Sequence, residues 1–324
     1  MAPMALYYGG GRMKFWVGVT DNKWYQFLSQ LNPQPDEVNF WQPSGTPPFK
    51  GAPIGLPFLF KLRRPYNHIA GGGFFVTYSS LPLSLAWEVF GYKNGCSSLD
   101  EFRELITPLT TNGRSDGLVG CNVLANPFFF DKGIWIADLP EWSSNIVRGK
   151  MYDSTESAGQ EIWRNVQQRM TLKPPEKNKI DGFSPAADIG GKYGPPVEVK
   201  PRLGQSSFRV LVTDAYQRRC AITGESTLIA LEAAHIVPYS GEGGHDVRNG
   251  LLLRADFHRL FDAGLVSVTP NLRIRVSRRI RKEWFNGKVY YRLDNEPLSV
   301  VPVHPSMRPD PDRLDWHYRN RFQA

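Results

Sequence analysis

Cysteine is scarce in this chain: three in 324 residues, Cys96, Cys121 and Cys220, widely spaced and odd in number. That excludes a disulfide framework and a paired-cysteine zinc ribbon, and makes a reducing compartment the expectation. Long apolar runs are missing too. No stretch reaches the about 20 residues a membrane-spanning helix needs, and no secretory leader is visible. A soluble, cytoplasmic protein without membrane contact is expected. Acidic residues are the minority charge, 31 against 39 Lys and Arg, a formal net charge of +8 that favours a polyanionic partner. What is present is a hydrophobic share of 41%, enough to give each of about two domains its own core.

Residues 1–13 contain Gly9-Gly10-Gly11 and are expected to be disordered. Residues 14–170 read as short strands interrupted by helices. Strands are expected at Phe15–Val19, Val38–Trp41, Pro57–Leu62, Ile69–Tyr78, Val119–Leu124, Phe128–Phe130 and Ile134–Ile136. Asp21 is placed to cap a helix burying Trp24, Phe27 and Leu28; further helices are expected at Leu83–Phe90, Ser98–Ile106 and Glu161–Met170. Gly71-Gly72-Gly73, inside a strand-like run, implies a bulge or a close approach of the backbone to something else. Residues 171–203, with Pro174-Pro175, Gly190-Gly191 and Pro195-Pro196, read as a linker to a second domain at 204–324.

The chemistry concentrates in Leu231–Asp262, LEAAHIVPYSGEGGHDVRNGLLLRADFHRLFD. Leu231–Val237 reads as a strand stopped by Pro238, Tyr239–Arg248 as a Gly-rich loop, and Leu251–Leu253 as a second strand. From Ala255 the apolar Phe257, Leu260 and Phe261 recur at helical spacing. On that helix His258 and Asp262 are i and i+4, stacked on one face where they can share a divalent cation. His235 on the facing strand is free to act on water. A lone strand histidine is more often structural, and an i,i+4 His/Asp pair is more often a surface bond. The joint pattern is what points to phosphodiester hydrolysis.

That pattern, with Cys220–Gly224 (CAITG), Leu231–Ile236 (LEAAHI), Asn249–Arg254 (NGLLLR) and His258–Leu265 (HRLFDAGL), resembles the HNH nuclease family, from about Arg202 to Phe322. The resemblance implies a ββα-metal domain. In it His235 is the general base, Asn249 holds the loop and the base, and His258 with Asp262 binds Mg²⁺ or Mn²⁺, with Zn²⁺ or Ni²⁺ also acceptable to a His ligand. Many members carry an Asp or His ligand just before the base; this chain has Ala234, and Glu232 is the nearest acidic substitute. The resemblance also implies one nick per site, so that a double-strand break needs two copies and a homodimer.

Residues 14–170, through FWVGVTDNKWYQFL, EVNFWQP and PFLFKLRRPYNHIAGGGFFVTYS, resemble the PUA-like superfamily with its EVE and SRA domains. The expected fold is therefore α+β: an N-terminal PUA-like small β-barrel with helices, a linker, and a C-terminal ββα-metal HNH domain. The PUA-like resemblance implies a pocket for a base taken out of the stack, with 5-methylcytosine or 5-hydroxymethylcytosine as the modification read. Trp41, beside a Pro-rich turn, and Phe74 are the candidate pocket walls.

Double-stranded DNA is the expected partner. Arg202, Gln205 and Arg209 cluster at the start of a helix whose apolar face is Phe208, Leu211, Val212 and Ala215, with Ser206 or Ser207 as cap. They read either as a solvated basic face or as phosphate contacts. In LRIRV, Arg273 and Arg275 alternate with apolar residues and line one strand face; Arg254 and the run Arg278, Arg279, Arg281, Lys282 add to the basic surface. His68, His245, His304 and His317 have no matched partners and are expected to be structural or exposed, and Cys220 to be core. The leading expectation is a metal-dependent DNA endonuclease of restriction or defence type. The alternatives are a non-cleaving reader with a decayed site, a sequence-specific HNH endonuclease indifferent to modification, and a nuclease toxin.

Overall fold

The computed structural model describes residues 13–43, 52–109, 117–137, 139–172, 203–238 and 245–324. The expected disordered N-terminus and linker therefore fall almost wholly outside the described residues, as does Arg202. The chain divides into two compact units, Met1–Arg202 and Leu203–Ala324.

The first unit is built on a six-stranded sheet in the order β2-β5-β4-β3-β1-β6. Its strands are β1 (Lys14–Thr20), β2 (Glu37–Gln42), β3 (Pro57–Leu62), β4 (Ile69–Pro82), β5 (Leu118–Phe129) and β6 (Gly149–Asp153). β1 and β3 run parallel and the other pairs antiparallel. The helices are α1 (Asn22–Ser29), α2 (Leu83–Phe90), α3 (Leu99–Ile106) and α4 (Ser157–Leu172). Asp21 caps α1 by accepting the N–H groups of Lys23 and Trp24, and Ser98 caps α3 through Glu101 N–H. Period-two alternation sorts the core. Phe58 and Phe60 face Trp24, Tyr25 and Leu28 of α1, while Leu59 joins Phe15, Val17 and the α4 residues Ile162, Trp163 and Val166.

Several expectations are corrected. The sheet is open: β2 and β6 are its edges and no pairing joins them among the described residues, so the closed small barrel is not what these strands make. Val119–Leu124 and Phe128–Phe130 merge into the single strand β5, because β4 is long enough to pair along all of it through two register shifts. Residues 132–134 form a 3₁₀ turn in place of a strand, and Ile136 makes one bridge to Ile69. The glycines have a local cause. A Cβ on Gly71 would lie 2.2 Å from Phe128 O, and one on Gly72 2.7 Å from Phe58 O. The partner in close approach is the protein's own sheet.

The second unit comprises α5 (Gln205–Ala215), the hairpin β7 (Leu231–His235) and β8 (Gly250–Arg254), α6 (Ala255–Asp262), the hairpin β9 (Val266–Val268) and β10 (Ile274–Val276), α7 (Arg279–Trp284), α8 (Lys288–Tyr291) and α9 (Pro311–Asn320). Gly204, not Ser206 or Ser207, is the N-cap of α5; both serines lie buried in its first turn. Phe257 and Phe261 carry α6 into the core, leaving His258 and Asp262 on the outer face. His317 of α9 stacks on Phe261 at 3.7 Å and is bonded to Ser267 Oγ (2.9 Å) and Phe261 O (3.2 Å), so α9 holds α6 from behind. Gly264, at φ +70°, ends α6: its N–H reaches Phe261 O and that of Leu265 reaches Leu260 O. Gln323 then donates its backbone N–H to Gly264 O and its side-chain amide to Ala263 O.

Gly71→Ala is expected to lower stability by about 2 kcal/mol, since the crowding atom is backbone and cannot swing aside. A chemical denaturation midpoint equal to that of the unaltered chain would show slack in the β4–β5 crossing.

Candidate active site

β7 and β8 bring His235 opposite Gly250 in the ladder. The approach of α5 is close there, since a Cβ on Gly250 would stand 2.4 Å from Val212 Cγ2. That closeness lets Phe208 stack on the His235 ring at 3.9 Å and 10°. Asn249 is fully buried. Its Oδ1 accepts Val237 N–H and its Nδ2 donates to Val237 O, both at 2.9 Å, while its own carbonyl accepts Ile236 N–H. The chain just after His235 is thus clamped to the start of β8.

A pocket of about 250 Å³ opens here, walled by His235, His258 and Asp262 together with Gln205, Phe208 and Arg209. Ala233 also lines it, whereas Ala234 is fully buried. Glu232, the expected substitute ligand, takes a different place: its Oε2 lies 2.6 Å from His258 Nδ1, whereas Asp262 Oδ2 lies 3.3 Å from His258 Nε2. The two carboxylates therefore address opposite nitrogens of one ring. Consistent with that, no group of three or more His, Cys, Asp or Glu suited to one metal ion occurs among the described residues.

Two donors do fit a cation. A carboxylate can only accept, so Glu232 takes the Nδ1–H, and the other ring nitrogen, Nε2, faces Asp262 Oδ2. Asp262 Oδ2 stands 3.3 Å from Nε2, a gap that an Nε2–H or a cation held by both atoms can bridge. Ligands about 2.1 Å from a common Mg²⁺ sit about 3 Å apart, so the spacing suits such an ion.

His245 was expected to be structural or exposed. It instead brings Nδ1 to 3.1 Å from His235 Nε2 and is half-buried beside Phe208. Its signal in the sequence is weak, because the partner is ten residues back across a loop. Burial, with smaller contributions from His245 and His258, pushes His235 down to about 4. It is therefore neutral at pH 7. His317 is lowered to about 4 by burial as well.

The other candidates are distributed as follows. Arg254 donates Nε and a terminal nitrogen to Asp256 at 2.7 and 2.8 Å and lies over the Phe257 ring. Arg273 donates to Asn295 O at 2.7 Å, and Arg275 to Asp294 at 3.3 Å. Cys220 is buried, its Sγ accepting the N–H groups of Thr223 and Arg254. In the first unit Phe74 is 5% exposed and packs against Phe128. Trp41 is half-buried, its ring edge-on to Phe102 and its Nε1–H donated to Asn94 O at 3.0 Å. The structure does not bring Trp41 and Phe74 into contact with each other in any ring pair among the described residues.

Residues 220–269 match the family model described as HNH endonuclease, a span running from the buried Cys220 turn through His235, His245 and His258 to just past β9. This stretch is an HNH endonuclease domain, and the catalytic class it defines is a nuclease. No curated protein matches the chain. Among solved structures, two mutants of ZmASCH from Zymomonas mobilis are similar at 9% and 8% identity, covering 46% of this chain and 97% and 95% of theirs, with TM-scores of 0.31 and 0.30. A structure titled modification dependent TagI restriction endonuclease is similar at 13% identity, covering 93% of this chain and 80% of that one, with a TM-score of 0.27. No helix among the described residues is long and apolar enough to cross a membrane.

The two lowered histidines set a pH dependence. Unfolded histidine titrates near 6.5, so between about 6.5 and about 4 the unfolded chain binds protons that folded His235 and His317 do not. Stability is complete above that window and falls as the pH drops through it. Melting curves should show a falling midpoint below about pH 6.5, with a shallower slope in His317→Gln. A midpoint independent of pH across the window would contradict neutral burial.

Proposed function

We propose that this chain is a metal-dependent DNA endonuclease of the restriction or defence type, directed by its first unit to DNA carrying modified cytosine. The observation that carries the nuclease reading is the placing of His258 Nε2 and Asp262 Oδ2 3.3 Å apart beside a neutral His235 in one pocket. A divalent cation held there, Mg²⁺ or Mn²⁺, supplies positive charge for the phosphoryl oxygens and the leaving oxygen.

The chain's own groups do the rest. In the base-competent tautomer His235 donates Nε2–H to His245 Nδ1, which leaves Nδ1 of His235 to take a proton from water. Phe208 and the Asn249 clamp fix the plane and position of that ring. Gln205 and Arg209, on the pocket wall, bind the phosphate and orient it. Glu232 acts on the His258 ring and not on the substrate, fixing its tautomer by accepting Nδ1–H. Arg254, Arg273 and Arg275 have local partners and contribute basic surface around the site.

Support for base reading in the first unit lies away from Trp41 and Phe74. Asn122 is paired in the sheet with Phe40 on one side and Tyr78 on the other, so the three share a face. Asn122 Oδ1 and Tyr78 OH are buried without a hydrogen-bond partner among the described residues. An acceptor and a hydroxyl beside a ring suit the edge and face of a base.

His235→Ala should cut nicking of duplex DNA in Mn²⁺ at least about 10²-fold with a nearly unchanged Kd, and Asp262→Ala should raise the metal concentration needed for half-maximal rate. Normal rates in both would remove these residues from the chemistry; binding without any metal-dependent cleavage by the unaltered chain would favour the non-cleaving reader.

For recognition, the full chain in EDTA should bind duplexes containing 5-methylcytosine or 5-hydroxymethylcytosine more tightly than unmodified DNA at matched salt. Asn122→Ala should erase the difference. Equal binding to all three duplexes would leave a reader of sequence or of charge alone.

A further inference from the structure

The connection between α7 and α8 exposes more apolar surface than its surroundings: Trp284 is 56% exposed, Phe285 90% and Val289 63%. The turn is firmly built. Phe285 sits in the left-handed region at φ 53°, its N–H returned to Arg281 O at 3.1 Å. Gly287, at φ +110°, has no room for a Cβ, which would meet Ile280 at 2.7 Å and Tyr291 at 2.9 Å. Tyr291 OH ties the two helices by accepting Arg281 N–H (2.8 Å) and donating to Ser277 O (3.0 Å). A left-handed backbone that favours Gly or Asn is thus used to hold a phenyl ring out in water. Folding gains nothing from that exposure.

The charge around the ring narrows the occupant. Arg278, Arg279, Arg281, Lys282, Lys288 and Arg292 are all exposed, and the one acid between 278 and 292, Glu283, is bonded to Arg279. A second copy docked here about a two-fold axis would set each cation cluster against itself, which is unfavourable. A polyanion fits. The turn is also tied to the helix that bears the cation pair: Tyr290 of α8 donates to Asp256 Oδ2 at 3.3 Å and its ring is edge-on to Phe257 at 5.3 Å. Asp256 lies two residues before His258.

From this we infer that the α7–α8 turn is a DNA wedge: Phe285 inserts against the bases beside the cut site while the flanking cations grip the phosphates. The inference rests on the DNA-cleaving reading and adds to it a means of opening the duplex next to the scissile bond. Apolar wedges of this kind unstack a base step, and the bend lets the protein reach more of the backbone.

The test uses the full chain in EDTA with a labelled, mixed-sequence duplex, titrated at several salt concentrations. Phe285→Ala should bind about tenfold more weakly with an unchanged salt slope, because it removes stacking and no charge. Phe285→Asn, suited to the left-handed backbone, should behave the same and so separates loss of the ring from loss of the turn. Arg281→Ala with Lys282→Ala should flatten the salt slope by about two. Affinity equal to that of the unaltered chain in both Phe285 variants overturns the wedge. So does a self-association, seen by sedimentation, that Phe285→Asn abolishes, since the face would then belong to a second copy. Failure of the nuclease reading shows separately, as the absence of Mn²⁺-dependent nicking by the unaltered chain.

Discussion

The side-chain amide of Asn249 closes both its donor and its acceptor on the backbone of Val237, and the arrangement of the site depends on that double bond. A buried amide left unpaired costs about 1–3 kcal/mol per group, so the clamp holds only with both bonds made. With them made, the end of β7 has one position relative to β8. His235 then has one place to stand, against Phe208 on one side and His245 on another.

The second constraint is the division of His258 between two carboxylates. β7 supplies Glu232 to one nitrogen and α6 supplies Asp262 to the other. The ring is therefore fixed by an element it does not belong to, which is how an outer-face side chain on a short helix acquires a defined orientation. The acidic residue that β7 carries near the pocket thus serves to orient the His258 ring.

What the sequence made legible follows from the range of the forces involved. Period-two and helical spacing placed β3 and α2 at their observed bounds, and the cap residue Asp21 was readable because capping is local. The strand–loop–strand–helix order around His235 and His258 was readable for the same reason. Contacts across the fold were not. The pairing of His245 with His235, the nitrogen that Glu232 chooses, and the crowding of Gly71 against Phe128 O all depend on segments meeting in space. The closed barrel was expected from strand number and curl, whereas closure is decided by whether the two edges β2 and β6 bond to each other. Trp41, beside its Pro-rich turn, is half-buried, and the ring it meets edge-on, Phe102, comes from α3 and was not readable from local sequence.

The carbonyls of Ala263 and Gly264, which end α6 directly after Asp262, are satisfied by Gln323, some sixty residues further along. Helix ends without partners fray within a turn, and here the fraying turn would carry Asp262. The segment around residues 321–323 is therefore a remote brace for the turn that carries Asp262. An affinity tag or a fusion joined there would load that brace, and the end of α6 would loosen although no residue of the pocket had been touched.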